Sequence, residues 1–322
     1  MKKNIRILLF STFKTSFIED DFNYLNKNYK TKWIIGFGLK GILKLLMNSY
    51  KNQIYIVWFA STYSAIIVFL SKIFNKKSII IVGGADVVFD KKIGYGLLQS
   101  RWKVPIIKFA LKNADHIIAS SEFIHQKIHE ICKKELKNSL VIYPGLNIDF
   151  WKIKNANKHR NVLTVAICNN QKRIIVKGID IYINVAKEMK NINFTIIGVQ
   201  KTLLKNLNLP KNLTIIPKLN QKKLLKYYNE SAIYCQLSRK ESFGIACAEA
   251  ILCGCQPIVN NVGGLPEIVK DSQYIVDIDD ITQIINTINH TINNSEKFDV
   301  KNIQKKYSSF SRYKKLNSII LH

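Results

Sequence analysis

Acidic residues are what this sequence has least of. Its 322 residues carry 22 Asp and Glu against 49 Lys and Arg, a formal net charge of +27. Lys, Asn and Ile dominate, a bias that suggests AT-rich coding, yet that bias would enrich Glu as readily as Lys. The imbalance therefore calls for an anionic partner: nucleic acid, an anionic membrane surface or an acidic substrate. No basic tail stands out, because residues 1–150 hold 23 basic against 10 acidic side chains and residues 151–322 hold 26 against 12. No helix-turn-helix, zinc-finger or RNA-binding signature occurs, so no nucleic-acid partner is expected.

Cysteine pairs with metal spacing are lacking too. Cys132, Cys168, Cys235, Cys247, Cys253 and Cys255 include no Cys-x-x-Cys, and Cys253-x-Cys255 is too tight for a zinc knuckle. Their apolar neighbours mark them as reduced, buried thiols of a cytoplasmic protein. Uninterrupted apolar runs of membrane-spanning length are missing as well. Residues 54–74 come nearest, but Ser61-Thr62-Tyr63-Ser64 breaks them, and a strand over 54–59 followed by a helix over 64–74 is the simpler reading. The opening MKKNIRILLFSTF has no small-residue cleavage site and reads as a first strand rather than a signal peptide.

What is present is a hydrophobic fraction of 47%, normal for a globular protein, and a length sufficient for two domains with their own cores. Short apolar strands alternate with amphipathic helices, which predicts an α/β architecture. Strands are expected near residues 5–10, 32–36, 54–59, 78–82, 116–119 and 139–143, and again from 162–168 onward to 233–237 and 256–259. Pro144-Gly145 and a polar stretch over 152–160 separate the two series. The helix over 38–50, GLKGILKLLMNSY, sets Lys40 and Lys44 beside a run of Leu, Ile and Met. It reads first as a core-facing helix whose lysines reach water, and second as a helix lying on an anionic membrane.

The most informative stretch is residues 238–269, SRKESFGIACAEAILCGCQPIVNNVGGLPEIV. Glu241 and Glu249 stand eight positions apart. A helix beginning near Phe243 presents unpaired amides and its positive dipole end to a ligand, with Glu241 in the loop before it and Glu249 about two turns inside. Ionised carboxylates only accept hydrogen bonds, which suits sugar and ribose hydroxyls. Gly254 closes that helix, residues 256–259 form a buried strand, and Gly263-Gly264 opens another loop. Earlier, Lys177-Gly178 stands at a helix start with Lys172 and Arg173 just upstream, a cationic turn suited to a diphosphate.

These residues resemble the signature of glycosyltransferase family 4, retaining nucleotide-sugar transferases of the GT-B fold. Glu241, Phe243-Gly244, Glu249, Gly254-Cys255-Gln256-Pro257 and Gly263-Gly264 with Glu267 match it with their spacing kept. Lys177-Gly178 and the Ala114-Asp115 to Ser121-Glu122 stretch match it elsewhere, so the resemblance covers nearly the whole chain, strongly from 177 to 267. It implies two Rossmann-like domains facing each other across a cleft: an acceptor domain over 1–150, a nucleotide-sugar donor domain over 151–300, and a C-terminal helix over 301–322 crossing back to the first domain. It also implies a metal-independent hexosyltransferase needing no cofactor, with a nucleoside-diphosphate sugar as donor and a saccharide or lipid-linked hydroxyl as acceptor.

In residue terms the resemblance implies that Lys177, with Lys172 or Arg173, neutralises the leaving diphosphate together with the amides near Ser242, Phe243, Gly244 and Ile245. Glu241 then holds the donor sugar and Glu249 the ribose, while Gly178, Ser238 and Arg239 lie along the donor. This chain departs from the family in three places. No glycine follows the first strand, the upstream arginine is displaced by one residue, and Asp86 stands where a histidine often faces the sugar. Asp86 is expected either to touch sugar hydroxyls or to cap the next helix. The rival readings are a sugar-nucleotide epimerase of the same fold and a basic binding protein with an inactive cleft. The charge allows peripheral contact with an anionic membrane on the inner face of the cell membrane.

Overall fold

The computed structural model describes residues 3–154, 158–294 and 298–321. Residues 155–157 of the expected polar linker lie outside the described residues. The chain divides into two compact units, one running to Gly145 and resuming at Phe310, the other spanning Leu146–Ser309.

The first unit contains β1 (Lys3–Ser11), α1 (Ser16–Asn28), β2 (Tyr29–Ile35), α2 (Gly38–Ser49), β3 (Ile54–Trp58), α3 (Thr62–Ile73), β4 (Lys77–Val82), α4 (Lys103–Asn113), β5 (His116–Ala119), α5 (Glu122–Cys132) and β6 (Ser139–Val141). Its sheet is parallel in the order β2-β1-β3-β4-β5-β6. A parallel sheet is covered on both faces, so its strands read as continuous apolar runs. In β1, Leu8 and Phe10 join the core under α2 to α5, while Ile7 and Leu9 join the opposite core under α1. The run over residues 54–74 is strand β3 and helix α3, and among the described residues no helix is long and apolar enough to cross a membrane.

Two details differ from the sequence expectation. Helix α3 begins at Thr62, two residues before the expected start at 64, because Ser61 and Ser64 close a capping box around its first turn, with Ser61 N donating to Ser64 Oγ at 2.8 Å. Helix α2 is not a core helix in the usual sense: only Gly41, Leu45 and Ser49 are buried. Its backbone at Gly41 lies directly on Gly36, where a Cβ on Gly36 would come within 2.6 Å of the Gly41 Cα. That close seating leaves a narrow buried strip and turns most of its apolar side chains outward.

The second unit contains β7 (His159–Cys168), α6 (Gln171–Val176), α7 (Ile179–Glu188), β8 (Asn193–Val199), β9 (Leu213–Ile216), α8 (Gln221–Glu230), β10 (Ser231–Gln236), α9 (Ile245–Leu252), β11 (Gln256–Asn260), α10 (Leu265–Val269), β12 (Ile275–Val276), α11 (Ile281–Asn293) and α12 (Val300–Tyr307). The parallel order is β12-β11-β10-β7-β8-β9. From β7 the chain winds outward through β8 and β9; from β10 it winds the other way. The carboxyl ends of β7 and β10 therefore flank a topological switch point, where ligands of such sheets bind.

The last helix, α13 (Ser309–Leu321), belongs almost wholly to the first unit, adding Leu316, Ile319 and Ile320 to the core beneath α1. It is anchored by Arg312, which is buried with Asp21 in a two-pronged ion pair at 2.8 and 2.6 Å. Arg312 Nη1 also donates to the carbonyls of Ile142 and Tyr143 at 3.2 and 3.0 Å. Removing one member of a buried pair strands the other without water. Arg312→Ala should therefore lower the unfolding free energy of the first unit by about 3–5 kcal/mol in urea titrations. The double variant Asp21→Asn/Arg312→Met should recover part of that loss; a single variant no less stable than wild type would show that α13 is held by its apolar contacts alone.

Candidate active site

The switch point of the second unit gathers most of the residues singled out from sequence. The loop after β7 carries Asn169 and Asn170, whose side chain caps the short helix α6 by accepting from Arg173 N at 2.9 Å. Helix α6 occupies residues expected to be loop, and its C-cap is Lys177. The loop after β10 carries Leu237 to Gly244. The two loops touch backbone to backbone: the amides of Arg239 and Lys240 donate to the Val176 carbonyl at 2.8 and 3.3 Å. Gly178 permits this approach. Its φ is +65°, and a Cβ there would lie 1.8 Å from the Leu237 oxygen.

With the loops joined, Lys177 Nζ reaches Glu241 Oε2 at 2.6 Å, both side chains mostly but not fully buried at 17% and 13% exposure. Glu241 also accepts from Ser242 N at 3.2 Å and from the Gln236 amide. Behind Glu241 runs a buried relay: Tyr234 donates to Gln236 Oε1 at 3.3 Å, Gln236 Nε2 lies 3.3 Å from Ser238 Oγ, and Asn260 donates to the Ser238 carbonyl at 2.8 Å. Burial pushes the Tyr234 phenol well above its ordinary range, so it stays a donor.

Helix α9 starts at Ile245 behind Gly244, so Glu249 is its fifth residue, little more than one turn in rather than two. The amides of its first turn have no acceptor within the helix. Tyr228 on α8 lies 3.4 Å from Glu249 and donates to it. Burial first, and then the Glu249 charge, raise the Tyr228 phenol well above its ordinary range and keep it protonated. The small residues of α9 are explained by its neighbours: α8, α10, α12, β10 and β11 all pack on it. Phe243 is buried against the Tyr307 ring of α12, with centroids 5.1 Å apart. Beneath the loop lies Gly263, at φ +62°, where a Cβ would come within 1.7 Å of the Glu241 oxygen. The Gly263-Gly264 spacing is thus a packing requirement of the Glu241 loop.

Other expected residues stand differently. Arg239 grips Asp180, in the first turn of α7, through both nitrogens at 2.8 Å and donates to the Ile175 carbonyl at 2.7 Å. Asp180 raises its pKa further. Arg239 therefore ties the loop after β10 to α7. Lys172 is exposed on α6, and Arg173 is half-buried one residue on. Asp86 lies in the other unit, 1% exposed, and accepts from the amides of Ala60, Gly83 and Gly84 at 2.8, 3.2 and 2.5 Å. Burial raises its pKa, against the lowering effect of those amides. It does not cap a following helix; it joins the loops after β3 and β4.

Gln236, Tyr234 and Tyr228 were missed from sequence. Their signal was available in part, since Tyr234 and Gln236 alternate on one face of β10 and Ser238 continues the alternation into the loop that follows. One Asp-x-Asp spacing does occur, Asp277-Ile278-Asp279. There Asp277 accepts from Asp279 N at 2.9 Å, and the adjoining Asp280 caps α11 by accepting from Gln283 N at 2.8 Å. Among the described residues no group of three or more His, Cys, Asp or Glu side chains could hold a metal ion.

The sequence model of the family Glycosyl transferases group 1 matches residues 150–313. The chain belongs to this family. An uncharacterized 41.2 kDa protein in the cps region of Klebsiella pneumoniae is 26% identical over 266 residues, covering 75% of this chain and 70% of that protein. The D-inositol 3-phosphate glycosyltransferase of Mycolicibacterium smegmatis is 25% identical over 199 residues, which span 56% of this group 1 chain and 45% of that enzyme. In fold the chain is similar to Anabaena HepE, solved with UDP-glucose, at a TM-score of 0.79 and 12% identity, covering 98% and 99% of the two chains. It is similar also to the lipopolysaccharide outer core galactosyltransferase WaaB, at 0.69 and 12% identity, again covering 98% and 99%. The fold of this group 1 transferase is GT-B.

The contact between Gly178 and Leu237 generates a test within this unit. Gly178→Ala places a side chain in left-handed backbone and against a carbonyl, so a loss of about 3 kcal/mol of stability is expected, read as a lowered melting temperature. A variant melting with wild type would mean the two loops do not approach as described.

Proposed function

We propose that this glycosyltransferase moves a hexosyl group from a nucleoside-diphosphate sugar to a hydroxyl of a saccharide or lipid-linked acceptor, with retention of anomeric configuration. The observation that carries the reading is the Lys177–Glu241 pair set at the switch point in front of the N-terminus of α9. A diphosphate seated there would meet the Lys177 ammonium and the first-turn amides of α9, two sources of fixed positive charge where negative charge develops on the leaving group. Lys172 or Arg173 of α6 supplies a second cation. Glu241, held by Gln236 and Ser242 N, accepts from hydroxyls of the sugar, and Glu249, held by Tyr228, accepts from hydroxyls of the ribose. Gly178, Ser238 and Arg239 shape the loops along the donor, and Asp86 positions the loops after β3 and β4.

The reaction fitting these groups is front-face substitution. The acceptor oxygen bonds to the anomeric carbon on the side from which the diphosphate departs, and the departing phosphate oxygen takes the acceptor proton. The positive groups named above do the electrostatic work, so no divalent metal or cofactor is required. The relative in a cps region and the fold likeness to a lipopolysaccharide galactosyltransferase support a cell-surface polysaccharide or glycolipid as product. Six free, buried cysteines support a reducing, cytoplasmic setting, and the net charge of +27 supports peripheral attachment to the inner face of the cell membrane.

A thermal-shift panel of UDP-, GDP-, ADP- and TDP-sugars tests the donor site. One nucleotide should stabilise the wild type by about 2.7 kcal/mol at a hundred times its Kd. Glu249→Ala and Lys177→Ala should each abolish most of that shift, read against each variant's own ligand-free melting temperature. Stabilisation by no nucleotide sugar would overturn the reading. Binding with neither donor hydrolysis nor transfer would identify an inactive binding protein, and release of an isomerised sugar without acceptor would identify an epimerase.

A further inference from the structure

Helix α2 exposes an apolar stripe that its own unit leaves uncovered. Phe37, at its N-cap, is 80% exposed, Leu39 79% and Met47 75%, with Leu43 and Leu46 exposed between them. Residues 39, 43, 46 and 47 recur at helical spacing and form one stripe, turned away from the strip at Gly41, Leu45 and Ser49 that meets the sheet. The neighbouring helix α3 packs on the same core and exposes Phe69 and Ile73. An apolar patch of this extent on a water-facing surface marks an interaction site.

The charge around the patch selects the occupant. Lys40 and Lys44 border the stripe and are exposed, and neither α2 nor α3 contains an acidic residue. From residue 22 to residue 85 the chain carries nine lysines and no Asp or Glu. A second copy docked symmetrically through the stripe would bring Lys40 and Lys44 against their own counterparts, with no acidic residue on α2 or α3 to pair them. A surface with anionic headgroups above an apolar layer satisfies both features together.

We propose that α2 lies in the plane of an anionic lipid membrane, with Leu39, Leu43 and Met47 in the acyl boundary and Lys40 and Lys44 among the headgroups. The surface belongs to the first unit, whereas the donor site belongs to the second. Its test is therefore separable from that of the sugar-transfer reading.

The experiment is co-sedimentation of the full chain with vesicles of phosphatidylcholine alone or mixed with phosphatidylglycerol, at low and high salt. Wild type should pellet with the anionic vesicles only, and salt should release it as screening shortens to a few ångströms. Lys40→Gln/Lys44→Gln should lower the partition coefficient about 25-fold, taking about fivefold per basic residue near such a surface. Leu43→Gln/Met47→Gln, which keeps the charge, should lower it at least tenfold. The control Lys222→Gln/Lys223→Gln, at two exposed positions of α8 in the other unit, removes the same charge and should bind like wild type.

Melting temperatures and donor-dependent shifts, measured in parallel, show that each variant is folded. No pelleting of wild type at low salt overturns the proposal, and so does an equal loss in the α8 control. A wild-type dimer that dissociates in the Leu43/Met47 variant would assign the face to a second copy instead.

Discussion

Everything that makes the second unit a candidate catalyst depends on one approach of backbone to backbone, Gly178 against the carbonyl of Leu237. The sheet order fixes why it matters. Strands β7 and β10 are neighbours whose following chains leave in opposite directions, so the loops at their carboxyl ends meet above the switch point. A side chain at residue 178 would push them apart. Without one, Val176 accepts from the loop after β10, and an ammonium from one loop and a carboxylate from the other come within 2.6 Å.

The same logic of close seating repeats beneath the Glu241 loop. Gly263 and Gly264 let the turn after β11 lie against the backbone of Glu241 to Phe243, and the small residues of α9 let five elements converge on an eight-residue helix. Carboxylates set on such a support hold their direction. Gln236 and Tyr228 then fix the two glutamates by hydrogen bonds from protonated donors that burial keeps from ionising or that cannot ionise. The charge of the site is thus local and directed, while the +27 of the chain is spread and belongs to a different physical problem. In the first unit the net positive charge concentrates where acidic residues disappear from the sequence, a stretch that includes α2 and α3 with their solvent-facing apolar side chains.

Much of this was legible in the sequence. Parallel strands announce themselves because burial on both faces makes them continuously apolar, as Ile7 to Phe10 and Ile54 to Trp58 do. Glu241, Glu249, Lys177 and the glycines stood out because backbone approach and charge placement demand particular residue types at fixed spacings. The alternative for residues 54–74 was decided by a polar interruption of four residues: the strand ends before it and the helix begins within it.

Side-chain direction and partner choice were decided only by tertiary structure. Arg239 has the charge and position of a phosphate ligand, yet Asp180 lies where its fork can grip both oxygens. Asp86 sits at a strand's carboxyl end, yet three amides of adjoining loops enclose it. The amphipathic pattern of α2 announced a helix with two faces, but pattern alone cannot say which face meets the sheet; the contact of Gly36 with Gly41 does. Sequence determined which residues could do chemistry and where strands and helices run, because those follow from local propensity and periodicity. The fold decided which of those residues meet, because an ion pair between positions 64 apart in the chain exists only when two loops are carried to the same end of one sheet.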